Sequence, residues 1–457
     1  MALNIVIMAA GKGTRMKSAR PKVLHRLGGT SLLQHVLNTC VALHAARTVV
    51  ITGHAAEEVE ASARGEGLAF VRQVPQLGTG HAIQQAVPAL DDDAGTTLIL
   101  NGDVPLIRAE TTAALARACG GEKLALLTIE LADATGYGRI LRDHAGRVQG
   151  IVEHKDATAA QRALREVYTG MMAAPTAALK RWVMALKNDN TQREYYLTDI
   201  VAMAVAEGVP VVATQPDSDT EVLGVNSPVQ LADLERRFQR AGAEALMEAG
   251  VRLADPARLD VRGQLLCGSE VEIDVNCVFE GRVSLGDGVR IGAHCVIRDA
   301  EIGAGAEIQP FTHVVGAKIG PKASVGPFAR LRPGAELGVE VHIGNFVEVK
   351  NSTLAAGAKA NHLAYLGDAT VGERVNYGAG SITANYDGAN KHRTVIGADV
   401  HVGSNCVLVA PVSLGDGATV GAGSTVSKDV PAGKLVVARA QQTIIEGWQR
   451  PKKAKKA

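Results

Sequence analysis

At 457 residues the chain is longer than one hydrophobic core organises, so two or three domains are expected. A formal net charge of +1 argues against a nucleic-acid binder working through a broad basic face. Six cysteines, at positions 40, 119, 267, 277, 295 and 406, form no CxxC pair and no metal-like cluster, which points to reduced thiols in a cytoplasmic protein.

The first element is the apolar run Leu3 to Ile7, broken by Asn4 and ending near Gly11, too short for a signal peptide or a membrane span. It runs into MAAGKGTRMKSARPK, residues 8 to 22, a glycine-containing turn rich in basic residues and without an acid. Such a turn presents backbone N–H groups to phosphate oxygens; the alternative is an ordinary β-to-α turn with solvated charges. The third glycine of GxGxxG is absent, and so is GxxxxGK followed by Ser or Thr, so neither a dinucleotide fold nor a P-loop is supported. Up to residue 227 short apolar runs (LNIVIM, TVVITG, TTLILNGD) alternate with helical stretches (SLLQHVLNTCVAL, AETTAALARAC), the pattern of an α/β domain with a mainly parallel sheet. Ligands of such sheets bind at the C-terminal strand ends, where GKGTR and NGD fall.

Ser227 and Pro228 read as the cap and first residue of a helix. Leu231, Leu234, Phe238, Ala241 and Ala245 recur at three- and four-residue steps, which predicts an amphipathic linker over 228–250 whose other face, with Glu235, Arg236, Arg237 and Arg240, is exposed. Beyond it, glycines preceded by Leu, Ile, Val or Tyr recur in pairs six residues apart, as in Gly286 and Gly292, Gly338 and Gly344, Gly397 and Gly403, and Gly415 and Gly421. This period predicts a parallel β-helix over 251–457, with aliphatic columns inside and small residues at the corners. Aromatic residues make up only 3% of the chain, in keeping with a prism too narrow for large rings. Periodicity leaves the hand of the coil open, and the general crossover rule favours a right-handed one. The six-residue register lapses between Leu354 and Val371, which reads as a loop leaving the coil, and the terminal run Arg450, Lys452, Lys453, Lys455 and Lys456 reads as a solvated tail.

AAGKGTRM with Pro21 and Lys22, LGTGHA, NGDVPL, TGYGRI, IVEHKDA, EYYLTDI and GVNS resemble a sugar-nucleotide pyrophosphorylase domain. ARLRPGAEL, GNFVEVKNS, NHLAYLGDA and NYDGANKHRT sit inside the repeats. Together these motifs resemble, over nearly the whole chain, the bacterial bifunctional N-acetylglucosamine-1-phosphate uridyltransferase and glucosamine-1-phosphate N-acetyltransferase family. The resemblance implies a Rossmann-like head over 1–227 and a left-handed hexapeptide β-helix, commonly trimeric. It also implies Mg²⁺ as cofactor, acetyl-CoA as co-substrate, and UTP, glucosamine 1-phosphate and N-acetylglucosamine 1-phosphate as small-molecule substrates. No nucleic-acid partner and no membrane span are expected.

Carried over residue by residue, the family pattern puts the nucleotide and sugar of the first reaction on Met8, Ala9, Ala10, Gly11, Gln73, Gly78, Thr79, Asn101, Gly102, Gly138, Glu153 and Tyr168. Arg15 and Lys22 would neutralise phosphate charge, and Asp103 with Asn226 would hold the metal, although an NGD sequence is by itself often just a turn. Tyr168 departs from the family pattern, which has a smaller asparagine there. For the second reaction His362 is the candidate base, since an imidazole is largely neutral in the cytosol. Arg332 and Lys350 would hold the sugar phosphate, with Tyr365 and Asn376 on the sugar. Ala379, Asn385, Tyr386, Ser404, Ala422 and Arg439 match coenzyme A positions, several of which could equally be repeat corners. Two rival readings remain open at this stage: a monofunctional pyrophosphorylase with a structural or regulatory β-helix, and a non-catalytic scaffold. The first leaves Arg332, Lys350 and His362 without a use, and the second leaves Arg15, Lys22 and Asp103 without one.

Overall fold

The computed structural model describes residues 2–90 and 95–453; Lys455 and Lys456 of the basic tail lie outside the described residues. The chain divides into two compact units, Met1–Phe238 and Gln239–Ala457. Among the described residues no helix is long and apolar enough to cross a membrane.

In chain order the strands of the first unit are β1 (Leu3–Met8), β2 (Arg26–Leu27), β3 (Thr30–Ser31), β4 (Arg47–Thr52), β5 (Leu68–Arg72), β6 (Thr96–Asn101), β7 (Leu124–Glu130), β8 (Gly138–Arg142), β9 (Val148–Val152), β10 (Glu166–Pro175) and β11 (Val211–Thr214). The small β2–β3 hairpin stands apart. The other nine form one sheet in the order β11-β7-β10-β6-β1-β4-β5, with β8 and β9 attached beside β10. Pairing is parallel except around β10 and in the β8–β9 hairpin. The central strands are apolar on both faces, as a sheet covered on both sides requires. Val6, Val49, Ile51 and Ile99 pack with Ile83, Leu179 and Trp182. Ile5, Ile7, Val50, Leu98 and Leu100 pack against Leu33, Val36 and Leu115 instead. Register pairs Met8 with both Ile51 and Asn101, so the C-terminal ends of β1, β4 and β6 are level and their following turns share one edge.

The linker is a helix, Pro228–Glu248, entered through Ser227, whose Oγ accepts from the Gln230 amide at 3.3 Å. Its buried stripe differs from the expected one. Leu231, Leu234 and Phe238 pack against Met16, Leu27, Leu32 and Val225, but Ala241 and Ala245 are exposed; in the second unit the buried positions are Gln239 and Ala243. The switch follows from Gln239, whose side-chain amide both donates to and accepts from the Val261 backbone, each at 2.8 Å. Nor is Glu235 a solvated charge: its carboxylate accepts from the Gly28 amide at 2.9 Å.

The second unit is a column of short parallel strands. One sheet has eleven strands stacked in sequence from Arg252–Leu253 to Leu435–Val436, and a second path of strands covers the remaining faces. Polar and aliphatic residues alternate, so that Ile273, Ile291, Ile308, Val325, Ile343, Val402 and Val420 form one internal column. This is the expected prism, with three departures. Phe279 and Tyr377 are buried inside it, Phe279 stacked between Val261 and Ile297 and Tyr377 between Ala360 and Val402, so single rings do fit within the coil. Large rings also sit outside: Phe311, Phe328 and Phe346 occupy left-handed corner positions, each roughly half exposed, and stack with His294 at centroid spacings of 4.8, 5.0 and 5.3 Å. Finally, the coil does not lapse between Leu354 and Val371. The strands Lys359–His362, Tyr365–Gly367 and Ala369–Val371 pair in register with their neighbours, and Ala358, Ala360, Ala364 and Ala369 carry the buried core through the stretch. The segment that leaves the column is 385–393, closed on itself by a bridge between Tyr386 and Lys391.

Five of the six cysteines are buried, Cys267 is partly so, and all are free thiols. Burial pushes Cys40 and Cys295 up to about 12, which keeps those thiols protonated and inert.

Candidate functional site

Each unit brings its own set of reactive groups together. In the first, a cavity of about 330 Å³ opens at the C-terminal edge of the sheet, lined by Met8, Ala9, Ala10 and Gly11 after β1, by Asn101 and Asp103 after β6, and by Lys22, Gln73, Gly78 and Thr79. The sheet dictates this grouping, since each of these segments follows or faces a level strand end. Gly78 holds φ at 103°, a conformation open to glycine, and caps the helix Thr79–Ala86. Its carbonyl accepts from the buried Gln73 amide at 2.9 Å.

At one side of this cavity Lys22 Nζ donates to the Asp103 carboxylate and, at 3.1 Å, to Asn226 Oδ1. One carboxylate and one amide oxygen, from segments far apart in sequence, thus converge on a single cationic nitrogen. All three are largely shielded, with Lys22 and Asp103 side chains 16% and 17% exposed. Such a hard-oxygen pair suits a small divalent cation that keeps water and substrate oxygens as its other ligands. Among the described residues no group of three or more His, Cys, Asp or Glu forms a fuller protein cage.

Other expected residues are placed differently. Arg15 lies on the 3-10 turn Thr14–Met16 and is exposed, outside the cavity lining. Glu153 faces a second pocket with Asp156, Tyr196 and Asp199, and accepts from Thr198 Oγ1 at 3.0 Å. Burial first, and then the charges of Asp199, Asp156 and Glu194, raise its carboxyl above the usual range. Gly138 is beside it: a Cβ there would press on Ile151 and stand 3.8 Å from the Glu153 oxygens. Tyr168 is buried in the core with its hydroxyl unpaired, and burial raises its phenol well above the ordinary value. Sequence reasoning missed Gln76 and Glu194, which also line the cavity. Gln76 donates to the Ala10 carbonyl and so braces the glycine turn, a role that no local motif announces.

In the second unit, Arg332 Nη1 donates to Glu348 at 2.8 Å. Lys350 is held below its ordinary value, chiefly by the neighbouring Lys391 ammonium and then by burial and Arg332. Three cationic side chains, Arg332, Lys350 and Lys391, thus lie near one another, with the Glu348 and Asp368 carboxylates beside them, an arrangement suited to an added anion. Lys391 was not singled out from the sequence; the excursion at 385–393 delivers it. Beneath this cluster, Asp368 accepts from Asn351 at 2.5 Å and from Asn385. Burial alone would raise its carboxyl, but those amides and the Lys391 and Lys350 charges outweigh it and the value is lowered. His362 is exposed at the end of its strand, with Nδ1 2.7 Å from Asn345 Oδ1. Tyr365 lies on the next strand, its ring over Gly367, where any side chain would collide with it. Asn376 is exposed on the strand beyond Lys359. Ala379, Ser404 and Ala422 recur at equivalent turns: Asn405 donates to the Ala379 carbonyl and Gly423 to that of Ser404, both at 2.8 Å. Arg439 donates to the Ala422 carbonyl. Tyr386 is exposed, its hydroxyl on the Gly388 carbonyl at 2.6 Å.

Comparison with known proteins matches residues 5–253 to the MobA-like NTP transferase domain and residues 393–428 to the bacterial transferase hexapeptide, six repeats. Over its length the chain is 78% identical to the bifunctional protein GlmU of Methylibium petroleiphilum, covering 99% of both chains. It is 68% identical to the protein of that name from Polaromonas naphthalenivorans, covering 99% of this chain and 98% of the other. With that of Paracidovorax citrulli the identity is 66% and the coverage 100% of both.

Proposed function

The chain belongs to the bifunctional GlmU family, and on that premise we propose that it makes UDP-N-acetylglucosamine in two steps, one in each unit. The observation that carries this reading is that each unit holds a separate set of polar and cationic groups of the kind its own reaction demands.

In the stem the amine of glucosamine 1-phosphate attacks the thioester carbonyl of acetyl-CoA; the N–C bond forms, the C–S bond breaks, and the amine proton passes to His362 and on to the departing thiolate. Arg332, Lys350 and Lys391 hold the sugar phosphate, Tyr365 and Asn376 orient the ring, and Ala379, Asn385, Tyr386, Ser404, Ala422 and Arg439 border the coenzyme. In the head an oxygen of the N-acetylglucosamine 1-phosphate phosphoryl group attacks the α-phosphorus of UTP, and the bond to pyrophosphate breaks. This chemistry asks for positioning and charge neutralisation. The backbone at Ala9, Ala10 and Gly11 cradles phosphate oxygens; Lys22 and Arg15 neutralise their charge; Gln73, Gly78 and Thr79 border the base; Gly138 and Glu153 border the sugar. Asp103 and Asn226 would hold Mg²⁺, which supplies charge stabilisation on the phosphates when bound. Their convergence on the Lys22 ammonium supports that assignment.

The stem coil is left-handed in this reading and assembles as a trimer, with the exposed His294, Phe311, Phe328 and Phe346 ladder as an apolar edge available to a neighbouring copy; the chain acts in the cytoplasm. Incubation of the pure protein with acetyl-CoA, glucosamine 1-phosphate, UTP and Mg²⁺ is expected to yield UDP-N-acetylglucosamine, free coenzyme A and pyrophosphate by mass. Acetylation without nucleotide product, or the reverse, would leave only half of the proposal standing. Sedimentation at micromolar concentration is expected to give a trimer, and a fully active monomer would refute that part.

A further inference from the structure

We propose that Asn345 is a positioning residue for acetyl transfer: its side-chain oxygen accepts the Nδ1–H of His362 and fixes the ring tautomer in which Nε2 carries the free lone pair. The inference rests on the reading of His362 as the base.

Asn345 ends the strand His342–Asn345 and is the register partner of His362 one coil later. The Nδ1 to Oδ1 separation is 2.7 Å, and the Leu363 amide donates to the Asn345 carbonyl at 3.0 Å, so backbone and side chain hold the same pair together. Gly344 makes this approach possible, since a Cβ there would overlap the Asn361 backbone. A neutral imidazole carries its proton on either nitrogen, and the partner of one nitrogen decides the state of the other. With Nδ1–H given to an amide oxygen, Nε2 is the atom that takes the amine proton, and the resulting imidazolium keeps the same hydrogen bond. The amide is uncharged, so it orients the ring without the added proton affinity that a carboxylate would bring. His342, Glu348, Lys350, Lys359, Tyr365 and Tyr377 are the charged or titratable groups on the strands around the pair, and they stay unchanged through the test below.

Three variants test the assignment, each assayed for both reactions with melting and sedimentation measured alongside. Asn345→Leu keeps the shape and removes the acceptor; acetyl-transfer kcat is expected to fall about 10- to 100-fold, with both KM values, the uridyl rate and the melting temperature within error of the parent. Asn345→Asp restores an acceptor and is expected to recover kcat at high pH, while the acidic limb of its pH–rate profile moves up by about one unit or more. A parental kcat in Asn345→Leu, or an unshifted profile in Asn345→Asp, overturns the proposal. His362→Ala separates the two levels: if it retains acetyl transfer, the base assignment fails and the inference with it. If it is inactive while Asn345→Leu is parental, only the role of Asn345 fails.

Discussion

The head and the stem build their sites by opposite means. In the head, Lys22 meets Asp103 across 81 positions of sequence and Asn226 across 204, and only the order of strands in the sheet explains why. In the stem the partners are one coil apart: Asn345 and His362 by 17 positions, Asn351 and Asp368 by 17, Arg332 and Glu348 by 16. An α/β sheet gathers chemistry at one edge from anywhere in the chain, whereas a coil of fixed pitch brings together what the repeat places one turn apart, and needs an excursion such as 385–393 to add a residue from farther along, as it does Lys391 beside Lys350. The head therefore lines a cavity that opens at the sheet edge, and the stem sets its groups in a row along the coil.

The sharpest way to break this comparison is to silence each unit in turn. His362→Ala is expected to lower acetyl transfer by about 10²- to 10⁴-fold and leave uridyl transfer intact, and Lys22→Ala to cut uridyl transfer by at least a hundredfold and spare the stem; a folded variant that loses both would show that the two sites are not separable. A chain ending at Gly250 should fold and keep uridyl transfer, which circular dichroism and a pyrophosphate-release assay would check; aggregation would mean that the head depends on the coil. Lys391→Ala tests whether the excursion serves the site. Loss of one charge-assisted phosphate contact, about 1.5–3 kcal/mol, predicts a rise in KM for glucosamine 1-phosphate of roughly 10- to 100-fold, and an unchanged KM would make Lys391 a bystander. The smallest effect concerns Glu153, whose folded value is raised. Between its unfolded and folded values the folded state binds more protons, so stability falls as pH rises through that window. Glu153→Gln should thus melt slightly higher than the parent at pH 7 and equally at pH 4; equal melting at both would show that the buried carboxylate costs nothing.

Much of this was legible beforehand, for reasons particular to each region. The glycine period announced the coil because every turn repeats the same steric demand, and GKGTR and NGD announced the head's edge because strand ends gather ligands. The reading failed where several residues substitute for one another. Alanines at 358, 360, 364 and 369 carry the core through a stretch without the glycine signal, and so hid the continuity that puts His362 on a strand. Gln239 turned the linker's buried stripe by satisfying a backbone rung that an apolar count ignores. Lys391 lay within the NYDGANKHRT motif but had no role assigned to it, because its position depends on how a loop folds back. By contrast, Asn345 could have been found by counting one coil back from His362, had the register been carried through.

The excursion at 385–393 leaves and returns without a trace in the column: Thr394–Ile396 pairs with both Ala369–Val371 and Val412–Leu414 as though nothing intervened. The coil thus behaves like shelving, in which a bracket can be mounted at one level while those above and below stay where they are. New contacts with a substrate can be gained by lengthening such a bracket, so this half of the molecule can change what it grips without renegotiating how it stands.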